Sequence, residues 1–330
     1  MPDYLVFGSC LRSELPFPEL AEARDHEPRW NLRLAALEPS DDDEVLSDSY
    51  LSSSCHIRIS RRKGMLRYSH SCGGTFEISP DGRDIVFDAG QAADTNTART
   101  DLVARLLLMY ADHERVTWLH GSAAQIGGTA IAFLGPSGAG KSTLALALAR
   151  AGAMHICDDI LPIEAGEHPV VWPSDRTIRL NDDSRTRLAS QTGAVRRESD
   201  GKFVVTHCSL ENDDGRTKGC TDPRVELAAL YLLASPTDGA GEVAQNGTTR
   251  RLIPPTAAMP HLIQHMRLGA VIGAEYPARA MQQLGAILAR VPVFELSVPR
   301  DWTRLGDAVR QLSEWHAHSN TAATELRESA

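Results

Sequence analysis

The chain has 330 residues, of which 42% are hydrophobic and 23% charged, a balance typical of a globular protein with more than one domain. Its formal net charge of −9 argues against a nucleic-acid-binding protein with a basic surface. No apolar run reaches the roughly 18 residues of a membrane-spanning helix, and the first residues do not resemble a secretory signal. The six cysteines form no C-x-x-C pair, which in a chain of this length indicates reduced thiols and a cytoplasmic protein. Together with the charge and the short apolar runs, this leads us to expect neither a membrane nor a nucleic-acid partner.

The first part of the chain, residues 1–112, is expected to form a small β-rich domain. Short alternating apolar segments predict four strands, which are Tyr4–Phe7, His56–Ile59, Gly74–Ile78 and Asp84–Phe87. Residues Ser79–Arg83 contain a proline and a glycine at the positions that a tight turn requires. A helical pattern over Ala98–Tyr110, with Thr97 as its N-cap, leads out of this domain.

The second part, residues 113–317, is expected to be an α/β domain, with residues 318–330 as a flexible tail. The predicted strands are Val116–Ile126, Thr129–Leu134, Met154–Cys157, Arg224–Ala234 and Pro292–Leu296. The predicted helices are Ser142–Arg150, Pro260–Leu268, Pro277–Arg290 and Thr303–His316. Gly127 and Gly128 predict a hairpin turn, and residues 235–250 predict a polar loop. The predicted fold is therefore a mixed sheet flanked by helices, preceded by a β-rich domain.

Residues 135–142 read Gly-Pro-Ser-Gly-Ala-Gly-Lys-Ser, a complete G-x-x-x-x-G-K-[ST] phosphate-binding loop between a predicted strand and a predicted helix. Glycines let backbone N–H groups face a polyphosphate, and the helix N-terminus adds partial positive charge. We expect Lys141 to reach the β- and γ-phosphates of ATP and Ser142 to ligate Mg²⁺. The residues expected to bind the nucleotide are Gly135, Pro136, Ser137, Gly138, Ala139, Gly140, Lys141, Ser142 and Thr143.

Two adjacent carboxylates, Asp158 and Asp159, follow the third predicted strand of this domain. Strand ends beside a phosphate loop are where ligands bind in an open α/β sheet. One carboxylate is expected to bind Mg²⁺ and the other to accept a proton from an attacking hydroxyl, with a helix cap or solvated turn as the alternative. His120 precedes the loop and is a candidate for proton transfer or for a structural role. His261 and His265 lie four residues apart without a third ligand, so we expect a structural role for both.

The order His120-Gly, phosphate loop, Cys157-Asp-Asp159 resembles the catalytic core of the bacterial HPr kinase/phosphorylase family. The resemblance implies that Asp158 is the base that activates a substrate serine, and that Asp159 supports Mg²⁺ together with Ser142. It also implies that His120 assists proton handling near Asp158. Arg179 is our candidate for a cation that stabilises the transferring phosphoryl group.

The chain as a whole resembles the HPr-kinase-like proteins that are encoded with ribosomally made peptides, notably the lasso-peptide kinases. The segments that carry this resemblance are Phe7–Leu20, Leu119–Ala123, Ile178–Leu180 and Val291–Asp301. The region 175–184 lacks the Glu-Ile-Arg-Gly-x-Gly signature of the bifunctional HPr kinases, which favours a peptide over the phosphocarrier as acceptor. The resemblance implies ATP-dependent phosphorylation of a serine near the C-terminus of a precursor peptide or small protein. Since the HPr kinase family forms hexamers, a homo-oligomer is also an expectation.

Three other functions stay open on the sequence. An HPr-type protein kinase and a small-molecule kinase use the same donor site with another acceptor. An ATP-binding regulator that transfers nothing needs the phosphate loop but no catalytic carboxylate. No motif in the chain identifies the acceptor.

Overall fold

The structure of the chain is a computed structural model that describes residues 1–23, 26–38, 43–52, 55–90, 95–106, 116–173, 177–188, 195–197, 202–206, 224–233, 247–266 and 276–317. The chain divides into two compact units, Met1–His113 with Leu268–Tyr276, and Glu114–Arg267 with Pro277–Ala330. The domain boundaries expected from the sequence remain a prediction. None of the helices in the described part of the chain is long and apolar enough to cross a membrane.

The first unit contains a nine-stranded sheet. Its strands are β1 (Asp3–Val6), β2 (Ser9–Ser13), β3 (Ala21–Glu22), β4 (Pro28–Leu34), β5 (Glu44–Ser52), β6 (Cys55–Arg62), β7 (Met65–His70), β8 (Gly74–Ile78) and β9 (Asp84–Asp88). They are ordered β3-β1-β2-β4-β9-β8-β7-β6-β5. All neighbours are antiparallel except the parallel pairs β2–β4 and β4–β9. The four strands predicted for this region are present, so its β-rich character is confirmed.

The turn between β8 and β9 forms as predicted. The Gly82 N–H donates to the Ser79 carbonyl at 2.8 Å, and Gly82 has a φ of 73°. The Asp81 carboxylate accepts from the Ser79 hydroxyl at 2.6 Å and from the Arg83 N–H at 3.1 Å. These contacts replace the ladder hydrogen bonds that the chain loses where it reverses.

The helix after this sheet differs from its prediction. Helix α1 spans Thr95–Asp101 and continues as a π-helical turn over Leu102–Leu106, and residues 107–110 of the predicted helix lie outside the described residues. Thr97 was wrong as the N-cap, because the helix begins two residues earlier and Thr97 lies within its first turn. The apolar face is nevertheless buried, since Leu102 and Leu106 are both fully covered.

The second unit contains one large sheet and one small sheet. Its strands are β10 (Val116–Leu119), β11 (Gly121–Ile126), β12 (Thr129–Leu134), β13 (Met154–Cys157), β14 (Leu161–Glu164), β15 (Val170–Val171), β16 (Thr177–Leu180), β17 (Val195–Arg197), β18 (Phe203–Thr206), β19 (Val225–Leu233), β20 (Thr249–Ile253) and β21 (Val293–Ser297). One part of the large sheet is ordered β13-β11-β12-β19-β21-β20, and the other, β10-β14-β15, joins it at the start of β19. Strands β12, β19 and β21 are parallel, so their carboxyl ends share one edge.

Helices cover both faces of this sheet. They are α2 (Lys141–Arg150), α3 (Asp182–Leu188), α4 (Pro255–Gln264), α5 (Tyr276–Leu288) and α6 (Leu305–His316). Side chains alternate along β12, so that Ala132 and Leu134 pack in a cluster with residues of α4 and α5. Ile131 and Phe133 point the other way, into a cluster with residues of α2 and α6. The mixed α/β architecture predicted from the sequence is present.

Three predicted elements of this unit were wrong in extent. The single strand expected over Val116–Ile126 is interrupted at His120, because its two halves pair with different neighbours. The helix expected from Pro260 begins at Pro255 instead, where proline occupies the first turn and needs no N–H partner. The polar loop expected over residues 235–250 gives way to β20 at Thr249, while residues 235–246 and the tail 318–330 lie outside the described residues.

Candidate functional site

The phosphate loop lies at the carboxyl edge of the parallel strands. Strand β12 ends at Leu134, and α2 begins at Lys141 with no side-chain cap on its first turn. Gly135, Gly138 and Gly140 have φ values of 150°, 79° and 103°, a region that residues with a side chain rarely adopt. The loop therefore has the strand–loop–helix setting in which backbone N–H groups and a helix N-terminus converge on an anion.

Lys141 is folded back over this loop. Its Nζ donates to the carbonyl oxygens of Gly135 at 2.7 Å and Pro136 at 3.1 Å, and only 7% of the residue is exposed. The ammonium group thus lies within the curl of the loop. The role in phosphate binding that we expected for Lys141 remains a prediction.

Asp158 is a buried carboxylate beside the first turn of α2. Its Oδ1 accepts from the Ser142 hydroxyl at 2.8 Å and from the Ser122 hydroxyl, and its Oδ2 accepts from the Arg179 backbone N–H at 2.8 Å. Burial, the largest influence, raises the pKa of Asp158, while these three hydrogen bonds act in the opposite direction. The carboxylate therefore holds Ser142 and strand β16 in place from inside the protein.

His120 and Asp159 lie next to each other where two neighbouring chain segments both change their strand-pairing partners. Leu119 in β10 pairs with Leu161 in β14, and Ala123 in β11 pairs with Cys157 in β13. Between these pairs, His120 and residues 158–160 belong to no strand, and Gly121 and Ser122 pair only with β12. The His120 ring Nδ1 lies 3.0 Å from the Asp159 carbonyl oxygen and 3.1 Å from Asp159 Oδ1. The double break thus brings an imidazole and a carboxylate together.

Asp159 has a strained backbone. Its φ is 65°, and the Ile160 N–H donates to the Asp158 carbonyl at 2.8 Å, which makes Asp159 the centre of a three-residue γ-turn. Arg179 approaches from the other side, with its Nη1 3.5 Å from Asp159 Oδ2. Strain of this kind persists only where surrounding contacts impose it, and it is concentrated at functional sites. Asp159 is also more exposed than Asp158, with 21% of its side chain accessible.

The site therefore gathers all four predicted catalytic residues, Asp158, His120, Lys141 and Arg179, around the loop. Each contacts either the loop itself or one carboxylate of the Asp158–Asp159 pair. Their predicted roles remain untested by this geometry. Of the two carboxylates, Asp158 is the one with a described hydrogen bond to Ser142, the residue that we expected to share Mg²⁺ with Asp159.

His265 lies beside this site through a backbone hydrogen bond, and the structural role that we expected for it remains a prediction. Its carbonyl accepts from the His120 N–H at 2.6 Å, next to a bridge between Leu119 and Met266. Burial lowers the pKa of His265 to about 4, and the positive charges of Lys141 and nearby histidines act in the same direction. The ring is therefore neutral at pH 7. Only the long-range bridge at Met266 brings it here, and no local pattern predicts that bridge.

Two hydroxyl groups were also missed. Ser122 lies in β11 and donates to Asp158, and Ser184 in α3 lies 2.9 Å from the Thr143 hydroxyl. Alternation along β11 would predict that Ser122 and His120 are on the same side of an uninterrupted strand, which is a weak signal for a polar site. For Ser184 the sequence holds no such signal, because its contact depends on how the β16–α3 segment folds back on α2.

The residues present fit a magnesium–triphosphate group. The Ser142 hydroxyl and the Asp158 carboxylate, 2.8 Å apart, are oxygen ligands of the type that Mg²⁺ prefers. Lys141, Arg179 and the loop N–H groups are suited to the phosphate oxygens.

No protein-family model matches the chain, and no curated protein matches it. Among solved structures, the chain is similar to the Hpr(Ser) kinase/phosphatase from Coxiella burnetii, with 14% sequence identity and a TM-score of 0.32. The match covers 64% of this chain and 94% of that chain. A likeness at this level carries no conclusion about activity, so the function of the chain has to be inferred from the geometry of its own site.

Proposed function

We propose that the protein is an ATP-dependent kinase that transfers the γ-phosphoryl group to a serine hydroxyl. The observation that carries the proposal is the hydrogen bond from Ser142 of the phosphate loop to Asp158, next to an Asp159 that contacts both His120 and Arg179. A phosphate loop alone serves many nucleotide-binding proteins. A second, more accessible carboxylate between an imidazole and a guanidinium is what an acceptor hydroxyl needs.

We assign the two carboxylates by their contacts. Asp158 is nearly inaccessible, and both of its oxygens already accept hydrogen bonds, one of them from Ser142. Its role in the proposal is to hold Ser142 and to contribute to the Mg²⁺ site. Asp159 reaches solvent and takes the role of base. This reverses the assignment expected from the sequence, because a base must first be within reach of the proton that it accepts, whatever its pKa.

In the proposed reaction, these residues promote an in-line displacement at the γ-phosphorus of ATP. Lys141 and the loop N–H groups hold the phosphates, and Mg²⁺, when bound, neutralises charge on the β- and γ-phosphate oxygens. Asp159 accepts the proton of the serine hydroxyl as the serine oxygen bonds to phosphorus and the bond from phosphorus to the bridging β–γ oxygen breaks. His120 holds the Asp159 carboxylate through its Nδ1–H. The Arg179 guanidinium offsets the negative charge that spreads over the transferred group.

The proposed acceptor is a serine near the C-terminus of a ribosomally made precursor peptide of the lasso type. Support for this part of the proposal is the sequence resemblance alone. The same donor site would also serve transfer to other alcohols. The identity of the acceptor is therefore tested separately from the transfer chemistry.

The experiment compares Asp158→Asn with Asp159→Asn. Asparagine keeps the side-chain shape and, at residue 159, tolerates the positive φ, so each change mainly removes a charge. We expect Asp159→Asn to bind ATP·Mg²⁺ like the wild type and to lose about 10²–10⁴-fold in transfer rate. We expect Asp158→Asn to need about 10–100-fold more Mg²⁺ for half-maximal transfer.

Transfer is followed with γ-labelled ATP and synthetic serine peptides, and ATP affinity by calorimetry over a Mg²⁺ series. A serine→alanine peptide is the matched negative control. If Asp159→Asn transfers at the wild-type rate while Asp158→Asn does not, the roles are the reverse of those proposed. If the wild type binds ATP but phosphorylates no hydroxyl acceptor, including a panel of small alcohols, the kinase assignment fails and a regulatory ATP-binding protein replaces it.

A further inference from the structure

Trp302 lies at the same edge of the sheet as the phosphate loop. It follows β21, which ends at Ser297 and runs parallel to β19, as β19 does to β12. Chain segments that leave parallel strands at their carboxyl ends emerge on one side of the sheet. The segment after β21 forms a single 3₁₀ turn, Trp302–Arg304, before α6 begins.

Polar contacts help to hold this tryptophan in position. The Asp301 carboxylate caps the turn by accepting from the Thr303 N–H at 2.9 Å and its hydroxyl at 2.8 Å. The Trp302 indole N–H donates to Asp183 Oδ2 at 2.8 Å. Arg187, which is paired with Asp183 at 2.9 Å, lies over the indole ring at 5.2 Å from its centroid. The ring is therefore fixed in position while part of it remains accessible.

The same contacts tie Trp302 to the first turn of α2. Asp183, its partner, is followed in α3 by Ser184, whose hydroxyl lies 2.9 Å from that of Thr143. Thr143 directly follows Ser142, the last residue of the phosphate loop. Two side-chain hydrogen bonds and one peptide link thus separate the indole from the nucleotide-binding residues. A second contact, from Arg150 to the Leu188 carbonyl at 2.7 Å, fastens the other end of α3 to α2.

Packing does not explain the residue. Trp30 and Trp118 are each 1% exposed and fill the cores of their units, and Trp315 packs against the cluster between α2, α6 and the sheet. Trp302 is only half-buried and belongs to none of the described core clusters. A rigid, partly exposed aromatic ring beside a phosphate site has the properties of a stacking platform for a flat heterocycle.

We infer that Trp302 is the contact for the base of the bound nucleotide, so that the site selects a nucleoside triphosphate over a bare polyphosphate. The inference rests on the proposed function and concerns the base of the nucleotide, for which the phosphate loop has no role. Stacking of a base on an aromatic side chain typically contributes about 1–3 kcal/mol. Removal of the ring should therefore weaken ATP binding about tenfold or more and leave the phosphate contacts intact.

The test measures binding of ATP and of inorganic tripolyphosphate, both with Mg²⁺, to the full-length wild type, Trp302→Ala and Trp302→Phe by calorimetry. We expect Trp302→Ala to lose about tenfold or more in ATP affinity while tripolyphosphate affinity stays within about twofold. Trp302→Phe, which keeps an aromatic ring, should recover most of the loss.

Trp172 provides a matched control. Its indole N–H also donates to a carboxylate, Glu164 at 3.0 Å, and an arginine, Arg224, also lies over its ring. It follows β15, which pairs with the first residues of β19, so it lies at the opposite end of the sheet from the phosphate loop. We expect Trp172→Ala to change neither affinity.

Three outcomes in the variants overturn the inference. They are ATP binding by Trp302→Ala at the wild-type affinity, an equal loss of affinity for ATP and tripolyphosphate in that variant, and the same selective loss in Trp172→Ala. The proposed function fails in a different way, because then the wild type itself binds neither compound, or binds ATP without transferring its phosphoryl group. A wild type that prefers tripolyphosphate to ATP leaves the phosphate site standing and refutes the base contact.

Discussion

Substitution of Gly135 by alanine should destabilise the second unit far more than the same change at Gly138. A Cβ at residue 135 would lie 2.9 Å from the Leu233 carbonyl oxygen and 3.1 Å from the Leu233 Cβ. Neither atom can move without shifting β19, which is hydrogen-bonded on both sides to β12 and β21. At Gly138, by contrast, an added Cβ meets nothing within 4 Å.

The expected magnitudes come from these contacts. A side chain at a φ of 150° costs about 1–3 kcal/mol in backbone strain, and the collision with β19 costs about 1–3 kcal/mol more. Alanine also lowers the conformational entropy of the unfolded chain, which stabilises the folded state by about 0.4–1 kcal/mol. The net loss for Gly135→Ala is therefore about 1–5.6 kcal/mol. For Gly138→Ala only the cost of a φ of 79° remains, about 1–2 kcal/mol, and the net loss is about 1 kcal/mol or less.

Urea denaturation measures both changes. Four of the five tryptophans lie in the second unit, so their fluorescence reports mainly on its unfolding. The midpoint of that transition should fall much further for Gly135→Ala, with an unchanged dependence on urea concentration. Equal losses in the two variants, within about 0.5 kcal/mol, would refute the argument that close packing of the loop against β19 requires glycine at residue 135.

Two further predictions concern charge. Lys141→Ala should lose most ATP binding, because it removes the ammonium group that lies in the curl of the loop, and an unchanged calorimetric titration would contradict this. Acidification should weaken the second unit through His316, since burial, followed by the charge of Arg250, lowers the pKa of its ring from 6.5 to about 4. The unfolded chain then binds the proton first, so stability is lost as pH falls from about 6.5 to 4, with a cost of about 2–3 kcal/mol by pH 4.5. His316→Gln should lose correspondingly less between pH 7 and 4.5 in urea titrations, and an equal loss would exclude His316 as the cause.

Local sequence was sufficient to predict the strand, loop and helix around residues 135–142. The phosphate loop, its strand and its helix are contiguous in the chain, and their glycine pattern has a direct backbone explanation. Asp158 and Asp159 could be added because they end the next strand, and the ends of neighbouring strands meet at one edge. The hairpin turn at Gly127 and Gly128 could also be predicted, because glycine readily takes the positive φ values that a two-residue turn demands, and these residues have φ values of 58° and 88°.

Contacts between distant segments could not be predicted. The apolar residues on both sides of His120 favour one continuous strand, and the interruption arises only because β10 pairs with β14 while β11 pairs with β12 and β13. His265 reaches the site through a bridge to that same break. The contact of Asp158 with Ser142, on which the proposed roles of the two aspartates rest, depends on how the chain turns after β13. Adjacent strand residues point to opposite faces, and the sequence does not say which face the loop occupies.

The pairing of β12 with β19, and of β19 with β21, also determines when the site can form during synthesis. The partners Ile131 and Ala229 are about a hundred residues apart along the chain, and β21 follows β19 only after α4 and α5, which makes the contacts slow to form. The phosphate loop emerges from the ribosome well before Leu233, against which Gly135 packs. A nascent chain therefore carries the complete loop sequence without its supporting strands. Nucleotide binding, the role proposed for this loop, should therefore begin only once residues through Ser297 have emerged.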